Sequence, residues 1–232
     1  MDTAEHARVA LVTGGSGGIG KAVVEKLGTD GFTVAVHYAG NQARADGIVA
    51  KITDAGGQAI TVVGDVADED AMRTAFDRVE DAFGGIDVVV NTAGIMPLGS
   101  IVSCDLAVFD RVVRTNLRGA FVVSQQAARR VSSGGAIVNF SSSVTRLQFP
   151  TYGPYVATKA AVEGMTLVLA RELRGRDVTV NAVAPGPTAT PLFLEGKDDA
   201  TVQGLADAAP LQRLGSPEDI AEVVAFLAGP AR

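Results

Sequence analysis

An α/β fold built on a doubly wound parallel sheet is what this sequence predicts, and three observations predict it. Short β-branched runs alternate with stretches of helical period along the chain. The runs are nearly continuous in apolar residues, as strands covered on both faces must be. The first run passes through a cluster of glycines straight into a helical stretch, an arrangement in which backbone rather than side chains meets a ligand.

The strands are read at 8–13 (RVALVT), 33–37 (TVAVH), 59–63 (AITVV), 86–90 (IDVVV), 136–141 (AIVNFS) and 178–184 (VTVNAVA), with helical stretches at 18–29, 42–55, 68–83, 105–130 and 153–174. Strict alternation makes the sheet parallel and puts helices on both of its faces. A last helix starts at SPED, where Ser216 can cap, Pro217 takes the first helical position and Asp219 can close a capping box. The one long irregular stretch, 184–215, precedes it. A loop of that length inside a compact domain is read as a lid or binding loop. No linker, low-complexity segment or repeat divides the chain, so residues 1–232 are expected to form a single domain with 185–215 as its substrate-side loop.

Composition excludes several function classes. With 20 Lys plus Arg against 26 Asp plus Glu, the net charge is −6, and no block of five or more like charges occurs, which disfavours nucleic acid and anionic membrane as partners. The single cysteine, Cys104, cannot form an internal disulfide, and with only His6 and His37 no Cys/His metal site is expected. A reducing, cytoplasmic setting fits. The N-terminal stretch lacks the order of a signal peptide, and no run of 18 apolar residues follows.

The glycine stretch LVTGGSGGIGKAV, 11–23, is the first functional candidate. Gly15, Gly17 and Gly20 match G-x-G-x-x-G in the strand-to-helix context that lets backbone approach a pyrophosphate at a helix N-terminus. A second candidate is YVATK, 155–159, in which Tyr155 and Lys159 share one helical face. Alone, the pair reads as a packed tyrosine and a lysine reaching for solvent. Ser142 adds weight, because it lies just past the carboxyl end of a strand, where open α/β sheets bind ligands. Asn116, in an apolar helix, is a buried-amide candidate, or a satisfied core asparagine.

With these motifs the chain resembles the short-chain dehydrogenase/reductase family, whose fold is the Rossmann fold. The family's T-G-x-x-x-G-x-G appears as TGGSGGIG (13–20), its N-x-A-G as NTAG (91–94), its Y-x-x-x-K as YVATK and its P-G-x-x-x-T as PGPTAT (185–190), and Ser142 stands 13 positions before Tyr155. The resemblance implies hydride transfer between a nicotinamide cofactor and a carbonyl or alcohol, similar to the 3-oxoacyl-carrier-protein reductases and related ketoreductases. It implies Tyr155 as the general acid, Lys159 as holder of the ribose hydroxyls, Ser142 on the substrate oxygen and Asn116 on the water of a proton relay. A phenol with an ordinary pKa of about 10 is a sluggish acid/base at neutrality, and the nearby Lys159 ammonium is expected to lower it.

For the cofactor, the resemblance implies a phosphate loop of Gly14, Ser16, Gly17, Gly18, Ile19 and Gly20. Asp65 and Val66 belong with the adenine, and Asn91, Ala93 and Gly94 with the adenosine side. Pro185, Gly186, Thr188 and Thr190 belong with the nicotinamide end. Local alternatives stay open: Asp65 as a helix-approach cap, Asn91 as a brace between strands, Pro185–Gly186 as a plain turn. The resemblance also implies a glycine-containing segment after Arg232, forming a seventh strand and part of the substrate wall, which either lies outside this sequence or is missing from the protein.

The cofactor is read as NADP(H), with NAD(H) as the alternative. The stretch HYAGNQAR, 37–44, carries no carboxylate to accept from a ribose 2′-hydroxyl. Tyr38 stands about where that acid is expected, Ala39 and Asn41 can offer donors, and Arg44 adds charge or is merely a solvated surface residue. Gly17 takes the place of the glycine-loop arginine usual in NADP-dependent members. Two other functions share parts of this pattern. A non-catalytic dinucleotide sensor of the same fold predicts a damaged catalytic set, and here the set is whole. An extended-type epimerase or dehydratase needs a sizeable substrate domain after the sixth strand, where 48 residues follow Ala184. Ala157, Ala160, Ala161 and Gly164 give the helix at 153–174 a small-residue face, expected to pack on its copy in a homodimer or homotetramer.

Overall fold

The computed structural model describes residues 7–229. Its elements run β1 (Val9–Thr13), α1 (Gly18–Thr29), β2 (Thr33–Tyr38), α2 (Gln42–Asp54), β3 (Ala59–Val63), α3 (Glu69–Phe83), β4 (Ile86–Asn91) and α4 (Leu106–Val112). Then follow α5 (Gly119–Arg130), β5 (Val131–Phe140), α6 (Val144–Leu147), α7 (Gly153–Glu172), β6 (Thr179–Val183), α8 (Pro191–Leu194), α9 (Asp199–Asp207) and α10 (Pro217–Ala228). Among the described residues, six strands form one sheet in the order β3-β2-β1-β4-β5-β6. Every pairing is parallel. The order reverses at β1, where β2 and β4 flank it, and that switch point opens a crevice above the strand ends.

Strand alternation divides the core in two. Ala10, Val12, Val34, Val36, Val88 and Val90 point to the face covered by α1, α2 and α10, while Val9, Leu11, Ala35 and Val89 point to the face covered by α3, α5 and α7. Both faces of the inner strands are thus buried, which accounts for their continuous apolar runs. The expectation fails at the two edges. β3 and β6 are largely half-exposed, and Val63 is 57% exposed, because an edge strand lacks a neighbour on one side and is less completely covered by helices.

Two further differences have local causes. The helix expected over 105–130 is interrupted by a π turn at Val113–Arg118, between α4 and α5. The irregular stretch 184–215 contains α8 and α9, capped by Thr190 and Asp198. The capping box at Ser216 and Asp219 forms as expected, with Pro217 in the first turn. Among the described residues no helix is long and apolar enough to cross a membrane.

Candidate active site

The glycine loop follows from β1. Gly14 adopts φ +66°, a left-handed conformation that disfavours any side chain. A Cβ on Gly20 would collide with the Gly14 carbonyl and lie 2.5 Å from Thr92 Oγ1, so α1 can approach β4 only with glycine there. The loop is tied to β2: Gly15 N–H donates to the His37 carbonyl at 3.0 Å and Gly14 N–H to His37 Nδ1 at 3.3 Å. The first turn of α1 has neither a side-chain cap nor an acidic residue. Its exposed N–H groups therefore suit an external anion, and the cradle fits the phosphates of a dinucleotide.

Ser142 stands two residues past β5, and Tyr155 begins the first full turn of α7 with Lys159 one turn further. Tyr155 is 8% and Lys159 4% exposed. The Lys159 ammonium donates to the Phe140 carbonyl at 2.8 Å and lies 5.5 Å from the centre of the Tyr155 ring. Burial pushes the Tyr155 phenol up to about 12, the Ser142 hydroxyl draws it down in part, and Tyr152 adds to the rise. Burial also lowers Lys159 to about 8. The expectation that Lys159 lowers the phenol is therefore corrected: burial raises it, and the Ser142 hydroxyl, not the ammonium, draws it partly back.

Asn116 sits in the π turn, fully buried. Its Nδ2 donates to the Ile95 carbonyl and its Oδ1 accepts from Ile95 N–H, both at 2.8 Å. The side chain is a satisfied core amide that braces the irregular segment following NTAG at Ile95, and it is carried by the π turn. Asn91 is a brace as well: its Oδ1 accepts from Thr13 Oγ1 at 2.7 Å, linking β4 to β1.

Most of the remaining candidates converge on one cleft of about 290 Å³. Gly14, Gly17, Gly18, Ile19, Gly20, Ala93, Gly94, Ser142, Tyr155, Lys159, Pro185, Gly186, Thr188 and Thr190 all line it. Ser16 lines an adjoining groove with Lys21, Arg44 and Lys51, and Arg44 sits on the lip between the two. Tyr38, Ala39, Asn41, Asp65 and Val66 lie at the ends of β2 and β3 outside this cleft. The Tyr38 side chain belongs to the core. Asn41 caps α2 through Arg44 N–H, and Asp65 accepts from Ala67 N–H and pairs with Arg114 at 2.5 Å. Thr92 and Met96 also line the cleft and were not singled out in the sequence, although Thr92 occupies the variable place of NTAG.

The lid closes on itself at a neck. Ala189 N–H donates to the Gly215 carbonyl and Gly215 N–H to the Pro187 carbonyl, both at 2.8 Å. Leu192 and Phe193 project from it into the cleft wall.

A family model described as enoyl-(acyl carrier protein) reductase matches residues 14–232. A short-chain type dehydrogenase/reductase of Picea abies is 42% identical over 95% of this chain and 85% of its own. The chain belongs to the short-chain dehydrogenase/reductase family. Another member, the 3-oxoacyl-(acyl-carrier-protein) reductase FabG of Staphylococcus aureus, is 40% identical over 94% of this chain and 89% of its own. A short-chain dehydrogenase from Burkholderia cenocepacia, solved in complex with NADP, superposes with a TM-score of 0.90 at 40% identity, covering 97% of this chain and 91% of that one. Membership makes the protein an oxidoreductase on a Rossmann fold.

Proposed function

We propose that the protein is an NADP(H)-dependent ketoreductase acting on an uncharged, mainly apolar carbonyl compound or the corresponding alcohol. One observation carries this reading: Ser142, Tyr155 and Lys159 open on the same cleft as the glycine loop. When bound, the nicotinamide supplies or accepts the hydride. Tyr155, protonated at neutral pH with its pKa near 12, gives its proton to the substrate oxygen as negative charge develops there. The Ser142 hydroxyl holds that oxygen and steadies the alkoxide. Lys159 orients the ribose hydroxyls, and Asn116 braces the cleft wall through Ile95. The uncapped start of α1 holds the pyrophosphate.

The preference for NADP(H) is supported by the NADP-bound relative and by Arg44 on the cleft lip. Arg44 makes no ion pair among the described residues. The substrate end supports a neutral ligand. Met96, Leu192 and Phe193 line it, and Val144, Phe149, Tyr152 and Leu205 continue the wall. Of the two lid cations, Lys197 is occupied by the Phe193 carbonyl at 2.5 Å and lies over the Phe193 ring, and Arg213 pairs with Asp219. Residues 1–232 act as one domain in this reading, with 185–215 as the lid, in a cytoplasmic homodimer or homotetramer. The test is NADPH oxidation across acetoacetyl thioesters, quinones, steroids and sugars. Turnover confined to the apolar carbonyls is expected, and no turnover of any of them by NADPH-bound protein would overturn the proposal.

A further inference from the structure

Glu163 lies on α7 one turn beyond Lys159 and two beyond Tyr155, on the same face of the helix. Its carboxylate reaches back to the segment that carries Ser142. Oε1 accepts from Ser141 Oγ at 2.6 Å and lies 2.9 Å from Thr145 Oγ1, while Oε2 accepts from Arg146 Nη2 at 3.3 Å. Ser141 and Thr145 flank Ser142, and both are buried.

Ser142 faces Tyr155 with its hydroxyl hydrogen-bonded to the phenol. From its own segment, its Oγ accepts a long 3.5 Å contact from Val144 N–H. The backbone on either side is anchored to the β6 edge, through Ser141 N–H to the Val183 carbonyl at 2.8 Å and Ser143 N–H to the Pro185 carbonyl at 3.0 Å. Thr145 Oγ1 also stands 3.0 Å from the Ser142 carbonyl, so its single proton is shared between that oxygen and the Glu163 carboxylate. Hydrogen bonds to an ionised acceptor are shorter and stronger than neutral ones. The Ser141 hydroxyl first, then Thr145 and Arg146, hold the Glu163 carboxyl below its ordinary value, so it is ionised at neutral pH.

We infer that Glu163 is a positioning residue for Ser142. Its carboxylate clamps Ser141 and Thr145, and through them sets the Ser142 hydroxyl opposite Tyr155. The β6 side fixes the backbone of the segment, and the α7 side, through Glu163, fixes its distance from the helix that bears the acid. Tyr155, Lys159 and Glu163 thus make one helical face do three things: supply the acid, hold the cofactor and hold the acid's partner. The inference rests on the reading of Ser142 as the group that holds the substrate oxygen.

The test compares Glu163→Ala in the wild-type and Ser142→Ala backgrounds, using the fastest carbonyl compound of the panel above and NADPH. In the wild type, kcat is expected to fall about 10- to 100-fold, with the NADPH dissociation constant unchanged within twofold. In the Ser142→Ala background the same substitution is expected to change kcat less than twofold, since a group acting through Ser142 is not additive with its loss. Glu163→Gln, which keeps one acceptor, is expected to retain intermediate activity. Thr145→Val carries the same comparison if Glu163→Ala does not fold. Equal losses in both backgrounds, or no loss in the wild type, would overturn the inference. If Ser142→Ala alone leaves kcat unchanged, the reading of Ser142 fails and the inference falls with it, an outcome distinct from a sensitive Ser142 with an indifferent Glu163.

Discussion

Lys159 holds its ammonium 2.8 Å from the Phe140 carbonyl while lying 5.5 Å from the centre of the Tyr155 ring. The carbonyl at the end of β5 therefore fixes where the cation sits, and Tyr155 shares a buried pocket with it. Burial lowers Lys159 to about 8, so the cation is intact below that pH and lost above it. The kcat/KM for NADPH-driven reduction should fall as pH rises through about 8, because the group that orients the ribose then loses its charge. A profile that stays flat well above pH 8 would exclude a titrating Lys159 from the reaction.

Tyr155→Phe removes the proton donor and leaves the ring packing against Val144 and Tyr152 in place. Turnover should drop by about 10²- to 10⁴-fold, the usual range for general acid catalysis. NADPH binding, followed by fluorescence titration, should stay within twofold. Residual activity within a few-fold of wild type would assign the acid elsewhere.

His37 predicts an acid-sensitive fold. It is buried with Nε2 lacking a hydrogen-bond partner, and burial lowers it to about 4 against the opposing influence of the Gly64 backbone and the Asp65 carboxylate. Its folded pKa is below its unfolded value, so the unfolded chain takes up a proton first as pH falls. Stability is complete above about 6.5 and is lost progressively down to about 4, by about 3 kcal/mol in all. Denaturant titrations at pH 7 and pH 5 should show the loss, and His37→Asn should flatten it. Equal pH dependence in the variant would place the titrating group elsewhere.

Cofactor choice is best probed at Ala39, because an aspartate at Tyr38 would bury a charge in the core. Ala39→Asp should repel a 2′-phosphate and lower kcat/KM for NADPH, by about 1 to 3 kcal/mol or roughly 5- to 150-fold. Arg44→Ala should act in the same direction. Wild-type kcat/KM values that are equal for NADPH and NADH would contradict the NADP(H) reading.

The outer face of α7 presents Ala157, Ala160 and Gly164 in a row that continues into Leu167, 69% exposed, and Val168, with Phe121 of α5 also exposed. Ala161 is only half-exposed. A symmetric helix-to-helix contact would cover this surface. Light scattering should give a mass of two or four chains at micromolar concentration, and Leu167→Glu should reduce it towards one. A wild-type mass of one chain would refute the assembly.

The inner strands were legible because a strand covered on both faces must be apolar at every position, as Val88 to Val90 are. The edges were not, since the apolar run at Ala59 to Val63 does not reveal that β3 has one neighbour. Gly14 and Gly20 could be read because their geometry excludes every other residue, and the motif is the trace of that exclusion. Asn116 could be found as a buried amide, but the π turn that carries it has no sequence period of its own. Tyr38 looked like a cofactor contact from its place at a strand end, yet an apolar ring beside Ala45 and Ile48 is drawn into the core. The rise that burial imposes on the Tyr155 phenol depends on depth in the fold, which spacing does not encode.

The neck at Pro187, Ala189 and Gly215 has a consequence for how this protein can change over evolutionary time. A loop whose ends already meet can grow at small entropic cost, about 0.6 kcal/mol for each doubling of its length. The part of the molecule that selects a substrate is thereby held as a detachable cassette, joined to the catalytic frame at one point. Residues 190–214 can be exchanged, lengthened or recoded while β5, α7 and the glycine loop keep their register, so that new substrates are reached without revisiting the chemistry.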